Sequence, residues 1–330
     1  MPPAPPLESL ERLADDFAAL EAPIERKRML VIVNPYATTV SDRLRNLVIY
    51  ALQGRYEVDA IDTEGREHAT ELTREAAQEG YDVVVAFGGD GTVNEAANGL
   101  AGSPTPLTCL PGGATNVYAR MLGIPNDIVD ATEHLLRIAD DWRPRKVDLA
   151  HVNDRAFLFS AGVGLDASVV KRVDRNPRLK ARLRQWYFTW AAVSTFSRRY
   201  LVNPPRIDVE VGGETVRGVT LIVQNGDPFT YFAARPLHVA EDVALDSGTL
   251  AGAVLRRASP VDIPTVAARL LSDRLSVARH RKVTPFAGET SLRMRSADGR
   301  PIPLQVDGDY IGDTAEAEFR ITPAGLSVVA

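Results

Sequence analysis

The stretch from Val83 to Leu100, VVVAFGGDGTVNEAANGL, constrains the fold more than any other part of the chain. Val83–Phe87 is a short apolar run rich in β-branched residues, the pattern of a strand covered on both faces. Gly88-Gly89-Asp90-Gly91 follows, a backbone free to turn sharply and to approach a ligand closely. Thr92 and Asn94 are placed to cap the helix beyond, with Ala96, Ala97 and Leu100 on its packing face. N–H groups at such a junction point outward with a favourable dipole, which suits phosphate. The same pattern also serves as a tight βα turn with no ligand. Asp90 asks for more, because a carboxylate beside an anion site is tolerable if a divalent cation lies between them. A Walker loop needs Gly-Lys-Ser/Thr, and this loop has no Lys. A dinucleotide fingerprint needs a third Gly or Ala where Asn94 stands.

A length of 330 residues implies two domains or one large one. The single cysteine, Cys109, excludes an intramolecular disulfide and a Cys-based zinc site, and fits a reducing cytoplasm. Flanked by Leu107 and Leu110, it reads as core. No apolar run approaches the roughly 20 residues of a membrane span, and the N-terminus is acidic rather than signal-like. The expected location is cytoplasmic, with membrane contact at most peripheral. The net charge of −5 is uneven: Lys171 to Arg206 holds ten Lys/Arg against one acid, leaving the rest of the chain at −14. Such a patch needs an anionic partner or a solvated face.

Residues 1–28 form a Pro-rich extension in which Leu10, Leu13, Phe17 and Leu20 recur at helical spacing. That short helix packs on its own domain or serves as an oligomer arm, in which case a homodimer is expected. Met29–Val33 reads as a buried strand, Ser41 as the cap of a helix to about Leu52, and Tyr56–Ile61 as a second strand. Another strand at 104–110 leads to Pro111-Gly112-Gly113, and a helix follows over 126–138. Strand alternating with helix across 29–148 predicts a doubly wound parallel α/β sheet with its site at the strand C-ends. After Leu149 short strands dominate, at 150–152, 156–160, 206–211, 216–225, 236–239, 249–254, 289–295, 302–306 and 316–321. They predict a β-sandwich over 149–330, whose C-terminal end can return to the first domain. Gly162-x-Gly164-x-x-Ala167 matches a dinucleotide fingerprint formally, but lies in the β-rich half without a βαβ unit, and is assigned to structure and cleft lining.

The GGDGTxNE pattern at Gly88–Glu95 resembles the lipid kinase family of diacylglycerol, sphingosine and ceramide kinases and, more distantly, NAD kinases. Leu110–Arg120 is similar to that family's P-x-G-T-x-N-D-F-A-R segment, Leu122–Pro125 closes it, and the likeness runs from about Val31 to the C-terminus. The resemblance implies ATP and Mg²⁺ in a cleft between the two domains. The nucleotide phosphates would be held by Gly88, Gly89, Asp90, Gly91, Thr92, Asn94 and Glu95, with Gly112, Gly113, Thr115 and Asn116, and Asp90 would meet metal or water. Asn34-Pro35 opens the equivalent of the family's N-P-x-S-G loop, with the Gly missing and Thr38 or Thr39 left to supply the hydroxyl. Thr63 with His68-Ala69 resembles a T-x(n)-H-A element near the nucleotide, and equally a helix N-cap.

Gln305-Val306-Asp307-Gly308-Asp309 resembles the family's Q-x-D-G-E, whose Glu takes the proton from the lipid hydroxyl. Asp309, one methylene shorter, is the implied base. Asp-Gly is also a strong hairpin signal, and a rigid turn positions a base well. Asp246-Ser247-Gly248-Thr249-Leu250 resembles D-D-G-x-L, which helps hold a structural Mg²⁺. With Ser247 in the usual ligand's place, the implied metal residues are Asp246, Ser247 and Thr249. Ser160–Val170 matches a further family landmark.

Leu179–Leu201, with Trp186, Trp190 and Phe196 between arginines, reads as a core helix or as an interfacial helix meeting anionic lipid. The resemblance favours the second, making an anionic membrane surface the partner of the 171–206 segment. No RNA-binding signature accompanies it, and no nucleic-acid partner is expected. The expected activity is an ATP- and Mg-dependent lipid kinase, by default converting diacylglycerol to phosphatidic acid. A sphingoid base or other lipid alcohol fits equally. An NAD kinase-like soluble-substrate kinase and a non-catalytic lipid- or nucleotide-binding module are the rivals. The missing Gly after Asn34-Pro35, Ser247 and Asp309 are the departures that suggest the module.

Overall fold

The computed structural model describes residues 26–37, 40–139, 142–174, 204–232, 235–240, 243–272 and 274–330. Thr38, Thr39, the 1–25 part of the N-terminal extension and the aromatic stretch around Trp186 lie outside the described residues.

The first domain alternates as the sequence predicts: β1 (Arg28–Val33), α1 (Asp42–Leu52), β2 (Glu57–Asp62), α2 (His68–Gln78), β3 (Val83–Gly88), α3 (Asp90–Leu100), β4 (Leu107–Pro111), α4 (Val117–Met121) and α5 (Ile128–Ile138). The caps follow local chemistry. Ser41 accepts from the Leu44 N–H, and the Asp127 carboxylate accepts from Val129 and Asp130. The four strands pair in parallel in the order β2-β1-β3-β4. β1 and β3 are central, which is why both are nearly continuous runs of buried Val, Ile, Leu and Phe. Because the chain leaves β1 toward opposite sides, the crevice opens at the C-ends of β1 and β3, where Asn34 and Gly88 stand.

The second half is antiparallel. β5 (Arg145–Val152), β6 (Arg155–Phe157), β8 (Ile207–Val211), β9 (Glu214–Gly218), β15 (Ser291–Ser296) and β18 (Glu316–Val328) belong to one sheet. β7 (Ser160–Gly164), β10 (Thr220–Gln224), β13 (Leu250–Leu255), β14 (Val283–Glu289), β16 (Ile302–Val306) and β17 (Asp309–Thr314) form the other, in the order β14-β13-β10-β7-β16-β17. Alternate residues such as Val209, Val223, Leu304, Met294 and Phe319 meet between the sheets, as a sandwich requires. A small hairpin, β11 (Thr230–Phe232) with β12 (Arg235–Leu237), and two helices, α6 (Leu165–Asp174) and α7 (Asp262–Leu270), complete the described elements.

Several sequence expectations change here. The strand expected over 156–160 is two strands, because the N–H groups of Leu158, Phe159 and Ser160 are drawn to the Asp307 carboxylate. The one expected over 216–225 is β9 and β10. β7, β14, β17, α6 and α7 were not anticipated. The two domains are not separate sheets: β18 pairs with β15 and β5, kinks between Thr322 and Leu326, then sets Val328 parallel to Leu107 of β4. One ten-stranded sheet therefore runs through both halves.

Candidate active site

The helix α3 starts earlier than its side chains suggest. Gly89 is the N-cap, no side chain closes the turn, and Asp90 is already helical. Thr92 and Asn94 are consequently not caps. Two glycines take the chain from strand to helix in less backbone than a Thr-capped turn needs, placing both residues inside the helix, buried. Thr92 accepts a hydrogen bond from Asn34 Nδ2 (3.0 Å), and Asn34 Oδ1 accepts from the Tyr36 N–H. Asn34-Pro35 is thereby tied to the first turn of α3.

The 111–116 loop lies against the same turn. Gly112 donates its N–H to Gly88 O, and a Cβ on Gly113 would come 2.7 Å from Gly89 Cα and 2.9 Å from Asn116 Oδ1. Only hydrogen fits there. Asn116, in the left-handed region, bonds both the N–H and the carbonyl of Gly113 and reaches Asn126. Thr115 lies between them. Gly88, Gly89, Asp90, Pro111 and Asn116 close together over the buried Val93, Cys109, Leu110 and Ala119. Asp90 Oδ1 accepts from the Tyr118 N–H. Removal from water pushes its carboxyl up to about 6, against the Tyr118 and Val117 backbone hydrogen bonds, with the Asp307 and Asp309 charges adding to the rise.

The second domain supplies the opposite wall. Asp307 and Gly308, both at positive φ, make a two-residue hairpin turn between β16 and β17, with Val306 paired to Asp309. Asp307 is buried and accepts from Leu158, Phe159 and Ser160 N–H and from Asn94 Nδ2 (2.8 Å). Burial pushes this carboxyl up to about 6 in spite of those donors. Asn94 also donates to Ala156 O and accepts from Arg155, whose guanidinium continues to Glu67 (2.6 Å). The hairpin is thus clamped onto α3, and Asp309 is carried to the helix's first turn: a Cβ on Gly91 would run into Asp309 Oδ2. Behind it, Gln305 Oε1 accepts from Gly308 N–H while its Nε2 donates to Asp166. A Cβ on Gly162 would strike both Gln305 and Asp166, so the glycine there makes room for this pair.

The structure therefore unites Asn34, Pro35, Gly88–Thr92, Gly112, Gly113, Thr115, Asn116 and Asp309 around one crevice. Thr63 is buried at the end of β2 beside it, donating its N–H to Val33 O. Glu95 is engaged elsewhere: burial raises its carboxyl, and backbone N–H groups of Glu67 and Ala69 at the start of α2 bind it. Asp246, Ser247 and Thr249 lie on the turn that leads into β13. Asp246 is exposed, the Ser247 and Thr249 hydroxyls bond each other, and Gly248 N–H donates to Asp148, which also accepts from Ala324. That turn is braced against β18 by Asp148. Asp148 and Arg155 carry no short-range signal, and sequence reasoning passed over both, whereas Asp166 lies within the Ser160–Val170 landmark.

Among the described residues no group of three or more His, Cys, Asp and Glu side chains could hold a metal. A resident all-protein metal cage is not what the Asp90–Asp309 pair resembles. One or two carboxylates beside a glycine cradle fit Mg²⁺, which keeps waters and takes its other ligands from substrate phosphates. The close Gly89–Gly113 approach, which leaves backbone and no side chain facing the crevice, fits a polyphosphate.

A two-domain α/β plus β-sandwich protein with a glycine turn facing a carboxylate hairpin is the class defined by this fold and site. Residues 28–152 match the diacylglycerol kinase catalytic domain family. A diacylglycerol kinase of Staphylococcus aureus is 27% identical over 291 residues, 87% of each chain. The crystal structure of a diacylglycerol kinase from Bacillus anthracis superposes with a TM-score of 0.70 at 22% identity, covering 92% of this chain and 97% of that one. A second crystal structure from that organism gives 0.72 at 24% identity, over 94% and 97%. At those identities the structures establish the fold. The chain is thus similar to bacterial diacylglycerol kinases in sequence and in fold. Relatives so named support a lipid kinase-type function. No described helix is long and apolar enough to cross a membrane.

Proposed function

We propose that the protein transfers the γ-phosphoryl group of ATP to the free hydroxyl of diacylglycerol, giving phosphatidic acid, with Mg²⁺ required. The observation that carries this reading is the contact between Asp309 and Gly91, which puts a carboxylate at the rim of a backbone phosphate cradle. Phosphoryl transfer asks a protein for positioning and charge stabilisation more than for covalent chemistry. Gly89 and Gly91 offer backbone to the phosphates, Gly113 lets the second loop lie close against that turn, and Asn34 and Asn116 hold the two loops. Asp309 accepts the hydroxyl proton as the acceptor oxygen attacks, held in place by the Asp307–Gly308 turn. When bound, Mg²⁺ neutralises charge on the triphosphate, and Asp90 is the residue placed to meet it or its water. The basic 171–206 segment would hold the enzyme peripherally at an anionic membrane on the cytoplasmic side.

The test is transfer of γ-labelled phosphate from ATP into diacylglycerol, sphingoid bases and other lipid alcohols in mixed micelles, with Asp309→Asn beside the wild type. Label in phosphatidic acid that falls about 10²- to 10⁴-fold in the variant is the expected result. Label in no lipid while ATP still binds would sink the reading.

A further inference from the structure

We infer that α7 and the chain around it form a face that docks on an anionic lipid bilayer. Helix α7 covers the outer side of the β10-β13-β14 sheet, with Ile263, Val266 and Leu270 turned inward onto it. Its other side is mostly apolar, with Thr265 the polar residue exposed on it. Val261, Pro264, Ala267, Ala268 and Leu271 are all exposed, Val261 at 65% and Leu271 at 43%, and Leu275 just beyond is 50% exposed. A helix on a water-facing surface normally carries its charges there. Here the helix has two charged residues, Asp262, which is buried, and Arg269, which is half-buried and donates to Ser276 O.

The charges of the surrounding chain have mainly one sign. Residues 256–282 hold seven Lys/Arg against Asp262 and Asp273, a net +5 on a chain of −5. Asp262 is buried and bound by Ser259 and Arg281, while Arg257, Arg274 and Arg279 are exposed. Exposed apolar side chains in a segment with exposed arginines suit the boundary between headgroups and acyl chains of an anionic bilayer, and charge complementarity selects that occupant. The cluster beneath the face also includes the start of α6. Leu165, which opens α6, packs in the same cluster as Ile263, and α6 leads into the 171–206 segment. The use of this face in presenting a lipid acceptor rests on the lipid-kinase reading, but the docking itself is measurable without turnover.

The experiment is co-sedimentation of the full chain with phosphatidylcholine vesicles, with and without phosphatidylglycerol. Wild type is compared with Leu271→Glu/Leu275→Glu and with Arg257→Glu/Arg274→Glu/Arg279→Glu, all at exposed positions. Binding is expected only with phosphatidylglycerol, and is expected to weaken about tenfold or more in each variant, while phosphorylation of a short-chain, water-soluble diacylglycerol stays at the wild-type level. Absence of binding, or binding unaltered in both variants and so carried by the 171–206 segment alone, would overturn the inference. A dimer in the ultracentrifuge that Leu271→Glu dissociates would overturn it in favour of a second copy of this chain. Binding lost in the variants while no lipid is phosphorylated would uphold the face and remove the kinase reading instead.

Discussion

The Asp309 carboxylate occupies the space a side chain at Gly91 would need, so the second domain's hairpin touches the backbone of the first domain's helix α3 directly. Gly91→Ala is therefore a probe of the base's position. The new methyl displaces the carboxylate without removing it, and phosphotransfer is expected to drop about 10²-fold, the scale of an ångström-sized misplacement. The urea midpoint should stay near wild type. Activity at the wild-type level would show that Asp309 does no work at this contact.

Asp307 acts on the geometry from beneath. Removing its carboxylate strands the N–H groups of Leu158, Phe159 and Ser160 and the amide of Asn94 in a buried site. Asp307→Ala is expected to cost about 3–5 kcal/mol, on the scale of a buried charge network broken from one side. Asp307→Asn, which keeps one acceptor, should cost less. Chemical unfolding checks both, and equal losses would argue against the multiple-acceptor role.

Gly113→Ala drives a methyl into the Gly89 backbone and Asn116. Unlike the Gly91 case the obstacle is main chain, which can only shift. A loss of about 1–3 kcal/mol in stability and a KM for ATP raised about tenfold or more are the expected outcomes of steady-state kinetics and unfolding. An unchanged KM would separate this loop from the nucleotide.

Asp166 gives a pH signature. Burial raises its carboxyl to about 6, against the pull of the Gln305 amide. An acid whose pKa is higher folded than unfolded favours the native state at low pH, and that advantage is lost as pH rises from about 4 through about 6. Asp166→Asn does not ionise. Its stability relative to wild type should therefore improve on going from pH 4.5 to 7.5, by something on the order of 1–2 kcal/mol. A gap independent of pH would mean that Asp166 does not titrate in this range.

The local grammar of the chain was legible without a structure. The Val83–Phe87 run, the Gly88–Gly91 turn, the Ser41 cap and the Asp307-Gly308 turn each depend on residues within one turn or one strand. Apolar periodicity and φ preference act over that distance. Glu95 and the Asp246–Thr249 turn have partners that their motifs do not name. The first is spent on α2 and the second is held by Asp148, contacts that no spacing rule contains.

What the sequence determined by itself was the alternation of the first domain, the β-rich second half and the two turns that carry the chemistry. Only the tertiary structure decided how they meet. Asn94 and Asp307 are 213 positions apart and bind at 2.8 Å because β18 welds both halves into one sheet and leaves the β16–β17 hairpin facing α3. Strand propensity would have run 156–160 straight through. A buried carboxylate needing donors broke that strand instead, since an unmet charge in the interior costs more than a few ladder hydrogen bonds.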